Sequence, residues 1–225
     1  MKRPLIVAVA VLLTLMALWG CSRDSQPAPG QKAGQKSPAQ PQQPAQPKPP
    51  DKKDPAASPG DYFPLAKGTV WEYQGEGNEY ASFSREVLFV EGSRAQVRED
   101  NGGTVMAVIF ETTPEAVTKV YSQGEVYDRV NLLGRPDNVK TIILKSPLKV
   151  GTKWQDPNGE REIVELSATV DTPSGRYDQC LKVKIAGRDS TLYEYFRLGV
   201  GMVKREFVSG EARVTSSLKK YSPAK

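Results

Sequence analysis

The residues that could carry chemistry in this chain are few, because it contains no histidine and only two cysteines, Cys21 and Cys180. Without histidine, neither a Ser-His-Asp nor a Cys-His arrangement can be built, and histidine-containing zinc, copper and non-haem iron sites are excluded. We therefore predict no metal and no cofactor. Paired carboxylates remain available as a class among the 26 acidic residues, but the sequence singles out no pair.

Four short motifs resemble catalytic or ligand-binding sequences but lack the required context. Residues 146–149 and 217–220 follow the pattern S-x-x-K, which serves serine–lysine enzymes when a helix places both side chains on one face. Proline follows the first serine, and the second lies in an alternating, strand-like run. The sequence GVG at 199–201 lacks the third glycine of a phosphate loop, and residues 156–160 lack the spacing of an EF-hand. We expect these stretches to form turns or strands. We also predict that the protein is not an enzyme.

Cys180 precedes a run in which polar and apolar residues alternate, and this places it on the same face as Lys182 and Lys184. Nearby lysines can lower the pKa of a thiol and make it reactive. The simpler interpretation is a small buried residue at the edge of a strand. If Cys21 is modified, an intramolecular disulfide cannot form, and an intermolecular one is the remaining alternative.

The first 20 residues have the layout of a secretory signal: a basic start, an uncharged apolar run over 5–19, and Gly20 before Cys21. The sequence Leu-Trp-Gly-Cys at 18–21 resembles a bacterial lipobox. This resemblance implies cleavage before Cys21 and lipidation of that cysteine on its sulfur and its new amino group. Two or more acyl chains anchor a protein stably to a membrane. An uncleaved signal anchor and simple secretion are alternatives, and all three place the remainder outside the cytoplasm.

Residues 22–60 form a low-complexity segment that holds ten of the 18 prolines, with glutamine, alanine and lysine between them. It has no apolar periodicity, so we expect a disordered linker. Proline favours extended polyproline II, which could reach on the order of 120 Å. Docking of these prolines into a partner's groove is an alternative. The predicted organisation is a signal peptide over 1–20, lipidated Cys21 and the linker over 21–60, and a β-rich domain over 61–225.

The formal charge of +5 is distributed unevenly. Two of these charges lie in the signal and three in the linker, while residues 61–225 carry 23 basic and 23 acidic side chains. A nucleic-acid-binding protein carries its basic excess on the folded domain, so we predict no nucleic-acid partner. The linker's excess is that of an ordinary solvated linker, and the alternative is that it faces anionic lipids or wall polymers.

The pattern of the domain has a period of two, which is typical of strands. Turn dipeptides separate the alternating runs, as at 100–103 and 172–175, and residues 105–110 are apolar on both faces as in a central strand. The pattern predicts an all-β, antiparallel meander of roughly ten short strands, folded as a sandwich or a partly open barrel.

One sequence pattern, P-L-x-x-G-T-x-W, occurs at 64–71 and again at 147–154. The sequence R-E-V at 85–87 is likewise echoed by R-E-I at 161–163. These echoes indicate either a diverged internal duplication or the repeated use of one way to start a strand. We expect Trp71 and Trp154 to anchor two strand starts in the core, with aromatic ligand platforms as the alternative.

Two further stretches carry a resemblance to uncharacterised β-rich bacterial lipoproteins. One is G-V-G-x-V at 199–203, and the other is T-P-x-G-x-Y-x-x-C at 172–180, beside the G-T-x-W element. The resemblance implies an antiparallel β fold and no known activity.

We expect an envelope-anchored lipoprotein whose domain has a non-enzymatic binding or structural role. Its predicted partners are the membrane, through Cys21, and an envelope protein, a wall polymer or a small ligand. A carrier of lipid-like ligands with an open apolar barrel is the second hypothesis, and an enzyme using carboxylates or lysine is the third.

Overall fold

The computed structural model describes residues 57–157 and 159–225. This part of the chain forms twelve strands, preceded by a 3₁₀ turn, and none of its helices is long and apolar enough to cross a membrane. The 3₁₀ turn is Pro59–Tyr62, and the strands are β1 (Val70–Glu76), β2 (Phe83–Glu91), β3 (Arg94–Asp100), β4 (Val105–Thr112), β5 (Ala116–Gln123), β6 (Thr141–Lys145), β7 (Lys153–Asp156), β8 (Gly159–Thr172), β9 (Gly175–Ala186), β10 (Thr191–Arg197), β11 (Gly201–Ser209) and β12 (Ala212–Ser222).

All twelve strands belong to one antiparallel sheet, in the order β6-β5-β4-β3-β2-β1-β12-β11-β10-β9-β8-β7. The sheet consists of two six-stranded meanders that are joined where β1 pairs with β12. It curls until its terminal strands meet, and there Trp154 on β7 donates a 2.9 Å hydrogen bond to the carbonyl of Ile142 on β6. The predicted antiparallel meander is confirmed with twelve strands instead of roughly ten, and the fold is a nearly closed barrel. We call the β6–β7 junction the seam.

The interior of the barrel is packed around aromatic side chains. Phe63, just after the 3₁₀ turn, lies 4.9 Å from the ring of Phe110 on β4 and 6.3 Å from that of Phe196 on β10. All three are buried, and aromatic pairs at such separations stabilise a core beyond the burial of their area. The segment before β1 therefore fills part of the barrel.

A loop over 124–140 covers the outer face of β3, β4 and β5. Its Leu133 packs with Ile109 and Val120 in a second apolar cluster. Beneath it, Gln96 donates a 2.8 Å hydrogen bond to the carbonyl of Val130 and is 1% exposed. The expectation of a central strand over 105–110 is confirmed, because β4 pairs on both edges and is covered on both faces.

The two P-L-x-x-G-T-x-W stretches form the same local structure. In the first, the amide of Gly68 donates to the carbonyl of Val87 (2.9 Å), and the amide of Val87 donates to the carbonyl of Thr69 (3.0 Å). Gly68 has a φ of 89°, which glycine adopts without strain. The corresponding residues of the second stretch are Gly151, Ile163 and Thr152, at 2.8 and 3.0 Å. The two halves of the sheet thus begin alike, while the duplication itself stays a prediction.

The two tryptophans that end these stretches are core anchors, as predicted. Trp71 and Trp154 are each 5% exposed, so neither offers an open ring face to a ligand. The indole of Trp71 donates a 2.6 Å hydrogen bond to the carbonyl of Val200, in the turn between β10 and β11. Across the sheet, Trp71 lies opposite Arg85, and Trp154 lies opposite Arg161. The anchors therefore fix the positions of two interior arginines.

Candidate functional site

A cavity of about 200 Å³ lies inside the barrel, and six of its lining side chains are charged. They come from strands of both meanders, which the pairing of β1 with β12 brings together. The charged residues are Arg85, Glu99, Lys119, Arg161, Glu194 and Arg205. Buried charges need partners or a functional reason, so this charged cavity is the candidate site.

The first ion pair of the charged cavity joins Arg85 on β2 to Glu99 on β3. The two residues are opposite each other in the register, and the distance from Nε to Oε1 is 2.8 Å. Burial lowers the pKa of Arg85, but the negative charge of Glu99, and that of Tyr73 when ionised, raise it, and the net shift is upward. Arg85 is therefore held charged by its partner inside the barrel.

The second ion pair joins Arg161 on β8 to Glu194 on β10, at 2.8 Å between Nη1 and Oε2. Both side chains are more deeply buried than the first pair, with 5% and 11% of their surface exposed. The same Nη1 of Arg161 lies 3.3 Å from the carbonyl of Ile143 on β6. Arg161 thus belongs both to the charged cavity and, together with Trp154, to the seam.

Arg205 on β11 lies opposite Glu194 but forms no ion pair with any residue in the described ranges. Its guanidinium sits 5.0 Å from the centre of the Phe83 ring, and that of Arg85 sits 5.3 Å from the same ring. Burial lowers the pKa of Arg205 and the nearby charge of Arg85 lowers it further, whereas the carboxylates of Glu194 and Glu99 raise it, and the net shift is downward. The guanidinium groups of Arg85 and Arg205 therefore lie over the same aromatic ring. Of the two, Arg85 forms an ion pair with a carboxylate and Arg205 does not.

Lys119 on β5 supplies the fourth cation of the charged cavity. It is opposite Phe110 on one side and Thr141 on the other, and in the described part of the chain it has no carboxylate within ion-pair distance. The lining holds four cations and two carboxylates, and both carboxylates are engaged by arginines. Two positive charges, those of Lys119 and Arg205, therefore form no ion pair with the lining, and the lining carries two more cations than carboxylates.

The charged cavity continues towards one end of the barrel. Arg161 and Leu192 also line an open depression formed by residues 187–190 of the turn between β9 and β10. Arg205 and Leu192 line a second one beside Tyr80 and Phe207, whose side chains are exposed. Arg205, which is partly exposed, can therefore be reached from solvent at this end, whereas Arg161 is buried.

Sequence reasoning selected none of these six residues as a site. The signal that could have identified two of them is the echo of R-E-V by R-E-I, because Arg85 and Arg161 are its arginines and both face the interior. The other four could not be identified from the net charge of residues 61–225, which is zero because acidic residues elsewhere in the domain offset the excess of cations in the cavity.

Cys180 lies where the sequence did not place it. It is fully buried, whereas Lys182 and Lys184 remain partly exposed, so the prediction of a shared face is wrong. Gln179 has a φ of 56°, and the register between β8 and β9 shifts beside it. This bulge turns Cys180 inwards, which agrees with the simpler interpretation of a small buried residue.

The buried thiol of Cys180 should be nearly inert. Burial raises its pKa to about 11, so at pH 8 its thiolate is far rarer than that of a free cysteine. In a Cys21→Ser variant we expect iodoacetamide to modify Cys180 only after denaturation, as followed by mass spectrometry. Modification of the native protein at the rate of free cysteine would contradict this placement.

The other sequence motifs fall in turns and strands. Ser146 begins the connection between β6 and β7, and Ser217 lies in β12, so neither S-x-x-K stretch is helical. Gly199 and Val200 lie in the turn between β10 and β11, Gly201 begins β11, and the carbonyl of Val200 accepts the hydrogen bond from Trp71. Residues 156–160 span the turn between β7 and β8, where Asn158 is not described, and Cys21 also lies outside the described residues.

Comparisons with known proteins add two solved structures. One is a "putative lipoprotein" from Parabacteroides distasonis, with 17% identity and a TM-score of 0.39. The other is a "putative exported protein with YmcC-like fold" from Bacteroides fragilis, with 15% identity and a TM-score of 0.38. Each alignment covers 72% of this chain and 98% of the other. No family model and no curated protein matches the sequence. At these values, neither similarity assigns a function to this chain.

Proposed function

We propose that this chain is an envelope lipoprotein, anchored through Cys21 outside the cytoplasm, whose barrel binds a ligand or partner and catalyses no reaction. The observation that carries the binding role is the charged cavity, where Lys119 and Arg205 form no ion pair with the lining. Both side chains are partly withdrawn from solvent, and a partly buried charge without an ion pair contributes little to stability, so its presence favours a functional role over a structural one. The resemblance of residues 18–21 to a lipobox supports the anchor.

The linker over 22–60 suits this role. A proline-rich chain of that length can hold the barrel away from the membrane surface, and its excess of three positive charges is attracted to anionic lipids. The membrane is one partner, through the lipid on Cys21. An envelope protein or a wall polymer is the alternative to a small ligand.

A carrier of lipid-like ligands fits the interior less well. An acyl chain requires a long apolar cavity, whereas the cavity beside Trp71 and Phe110 is about 10 Å³ and the larger one is charged. The aromatic side chain of Phe63 occupies the space between. The interior favours a polar ligand over a lipid tail.

An enzyme of the carboxylate type is also disfavoured by the geometry. Glu99 and Glu194 are the two acids of the charged cavity, and each accepts a 2.8 Å hydrogen bond from an arginine. A pair of carboxyl groups that flanks a substrate bond needs one acid free to give a proton and the other free to attack or to activate water. Glu99 and Glu194 are both engaged by guanidinium groups, so neither is free for such a role.

Metabolic labelling tests the anchor. Cells that express the full chain should incorporate labelled palmitate into it, and a Cys21→Ser variant should lose the label and keep its signal peptide. The matched control is Cys180→Ser, which removes the other cysteine and should be labelled like the wild type. The proposed anchor would be refuted if Cys21→Ser still incorporated palmitate. It would also be refuted if the signal peptide were still removed in the presence of an inhibitor of lipoprotein signal peptidase.

A further inference from the structure

We propose that the charged cavity binds a small dianion bearing carboxylate or phosphate oxygens, which contact Lys119 and Arg205. This inference rests on the proposed binding function and adds the chemical class of the ligand. It follows from three features of the cavity: its unbalanced charge, the geometry of its donors and its opening to solvent.

The unbalanced charge sets the sign and number of the ligand's charges. Glu99 and Glu194 are each occupied by an arginine at 2.8 Å, so neither is free to neutralise a further cation. Lys119 and Arg205 then carry two positive charges into a cavity with aromatic and aliphatic walls. A ligand with two negative charges would neutralise both, whereas a neutral ligand would leave the repulsion between Arg85 and Arg205 in place.

The donors set the chemistry of the ligand's polar groups. A guanidinium presents a planar fork of N–H donors that matches two oxygens of a carboxylate or a phosphate, and an ammonium adds a compact charge. Arg205 is oriented by its stacking on Phe83, 5.0 Å away, and Phe83 is itself stacked on Tyr73 at 4.4 Å. A donor held in this way loses little conformational freedom when it binds.

The volume of the charged cavity limits the size of the ligand, and its opening determines where the ligand enters. The cavity of about 200 Å³ can hold a compact molecule, and Leu192 lies at its junction with both open depressions. Apolar side chains such as Phe207 surround that end of the barrel. A dianion would enter there and meet Arg205 first, while the seam on the side of the barrel stays closed.

The test measures the melting temperature of the mature full-length protein, in detergent, by its tryptophan fluorescence. Inorganic phosphate and succinate are the probes, and sodium chloride keeps the ionic strength constant so that surface screening does not change. At about 100 times the dissociation constant, either probe should raise the melting temperature by about 5–10 °C and the rise should saturate. Succinamide, which has the shape of succinate without its charge, should produce no rise.

Two variants locate the effect. Arg205→Met keeps the aliphatic stem on Phe83 and removes the charge, so it should lose the probe-dependent rise. Its melting temperature without probe should equal or exceed that of the wild type, because a partly buried cation that forms no ion pair has been removed. Arg213→Met, on neighbouring β12, removes an exposed arginine that pairs with Glu206 outside the charged cavity and should retain the rise. Lys119→Met is the second cavity variant and should also lose it.

The proposal is overturned if neither probe gives a saturable rise at constant ionic strength. It is equally overturned if Arg205→Met and Lys119→Met both respond like the wild type, or if chloride alone gives the same saturable rise. Native mass spectrometry that finds a neutral ligand in the charged cavity would end the dianion proposal and leave the binding function standing. If the wild type incorporated no palmitate in the labelling experiment, the proposed lipid anchor would be refuted, but the dianion proposal would not be affected.

Discussion

Replacing Arg161 by methionine is expected to lower the free energy of unfolding by about 3–5 kcal/mol, the usual result of removing one partner of a buried ion pair. Arg161 is 4% exposed, and its loss leaves the carboxylate of Glu194 without its 2.8 Å donor. It also removes the 3.3 Å contact with the carbonyl of Ile143 across the seam. Urea unfolding followed by circular dichroism measures the change.

Two further variants decide whether the charge of Glu194 is the cause. In the double variant Arg161→Met with Glu194→Met, part of the loss should be recovered, because no carboxylate is then left without its partner. Lys153→Met breaks an exposed pair with Glu160 and should leave the unfolding midpoint almost unchanged. A double variant as unstable as Arg161→Met, or a Lys153→Met variant equally unstable, would refute this account.

The second large effect is expected at Trp154, the core anchor of β7. Trp154→Ala should lower the free energy of unfolding by about 3–5 kcal/mol, because it leaves a large cavity in the core and removes the indole N–H donor from the seam. Val150→Ala removes an exposed apolar side chain (59% exposed) from the preceding loop and should change stability by less than about 0.5 kcal/mol. Equal losses in the two variants would contradict the anchoring role.

Trp154→Phe separates the seam hydrogen bond from the packing. Phenylalanine keeps an aromatic ring in the core but cannot donate to the carbonyl of Ile142, so the loss should include about 1 kcal/mol for the hydrogen bond. Hydrogen exchange should then accelerate in β6 and β7 and stay unchanged in β1 and β12 on the opposite side of the sheet. Uniform acceleration over all strands would show that the seam does not open as a separate unit.

Much of the fold could be predicted from local sequence. Period-two alternation predicted strands, and turn residues marked several of the hairpins, including those at 100–103 and 172–175. Closure could not be predicted, because Val70 pairs with Ser222 at the far end of the chain and no local pattern specifies so distant a partner. The covering loop over 124–140 was missed for a similar reason, since burial of Gln96 depends on Leu132 and Val130 from another part of the sequence.

The candidate site could be predicted only in fragments. Alternation shows which residues share a face, but it does not show that faces from both meanders meet around one cavity. Arg85 and Arg161 were visible as an echo, whereas Arg205 has no counterpart in the sequence patterns. The reversal of Cys180 was not predictable either, because the bulge beside it uses Gln179 in a left-handed conformation, where glycine would have been the usual signal.

The pairing of β1 with β12 also determines the order in which the molecule can be completed. Each hairpin can form as soon as its second strand is available, but one edge of β1 stays bare until the chain has been made as far as Ser222. Contacts between such distant segments form slowly, and a bare strand edge pairs readily with other chains. Removing the 11 residues of β12 would therefore do more than shorten a tail. It would leave two half-sheets with open edges, and self-association would be the expected fate of the truncated protein.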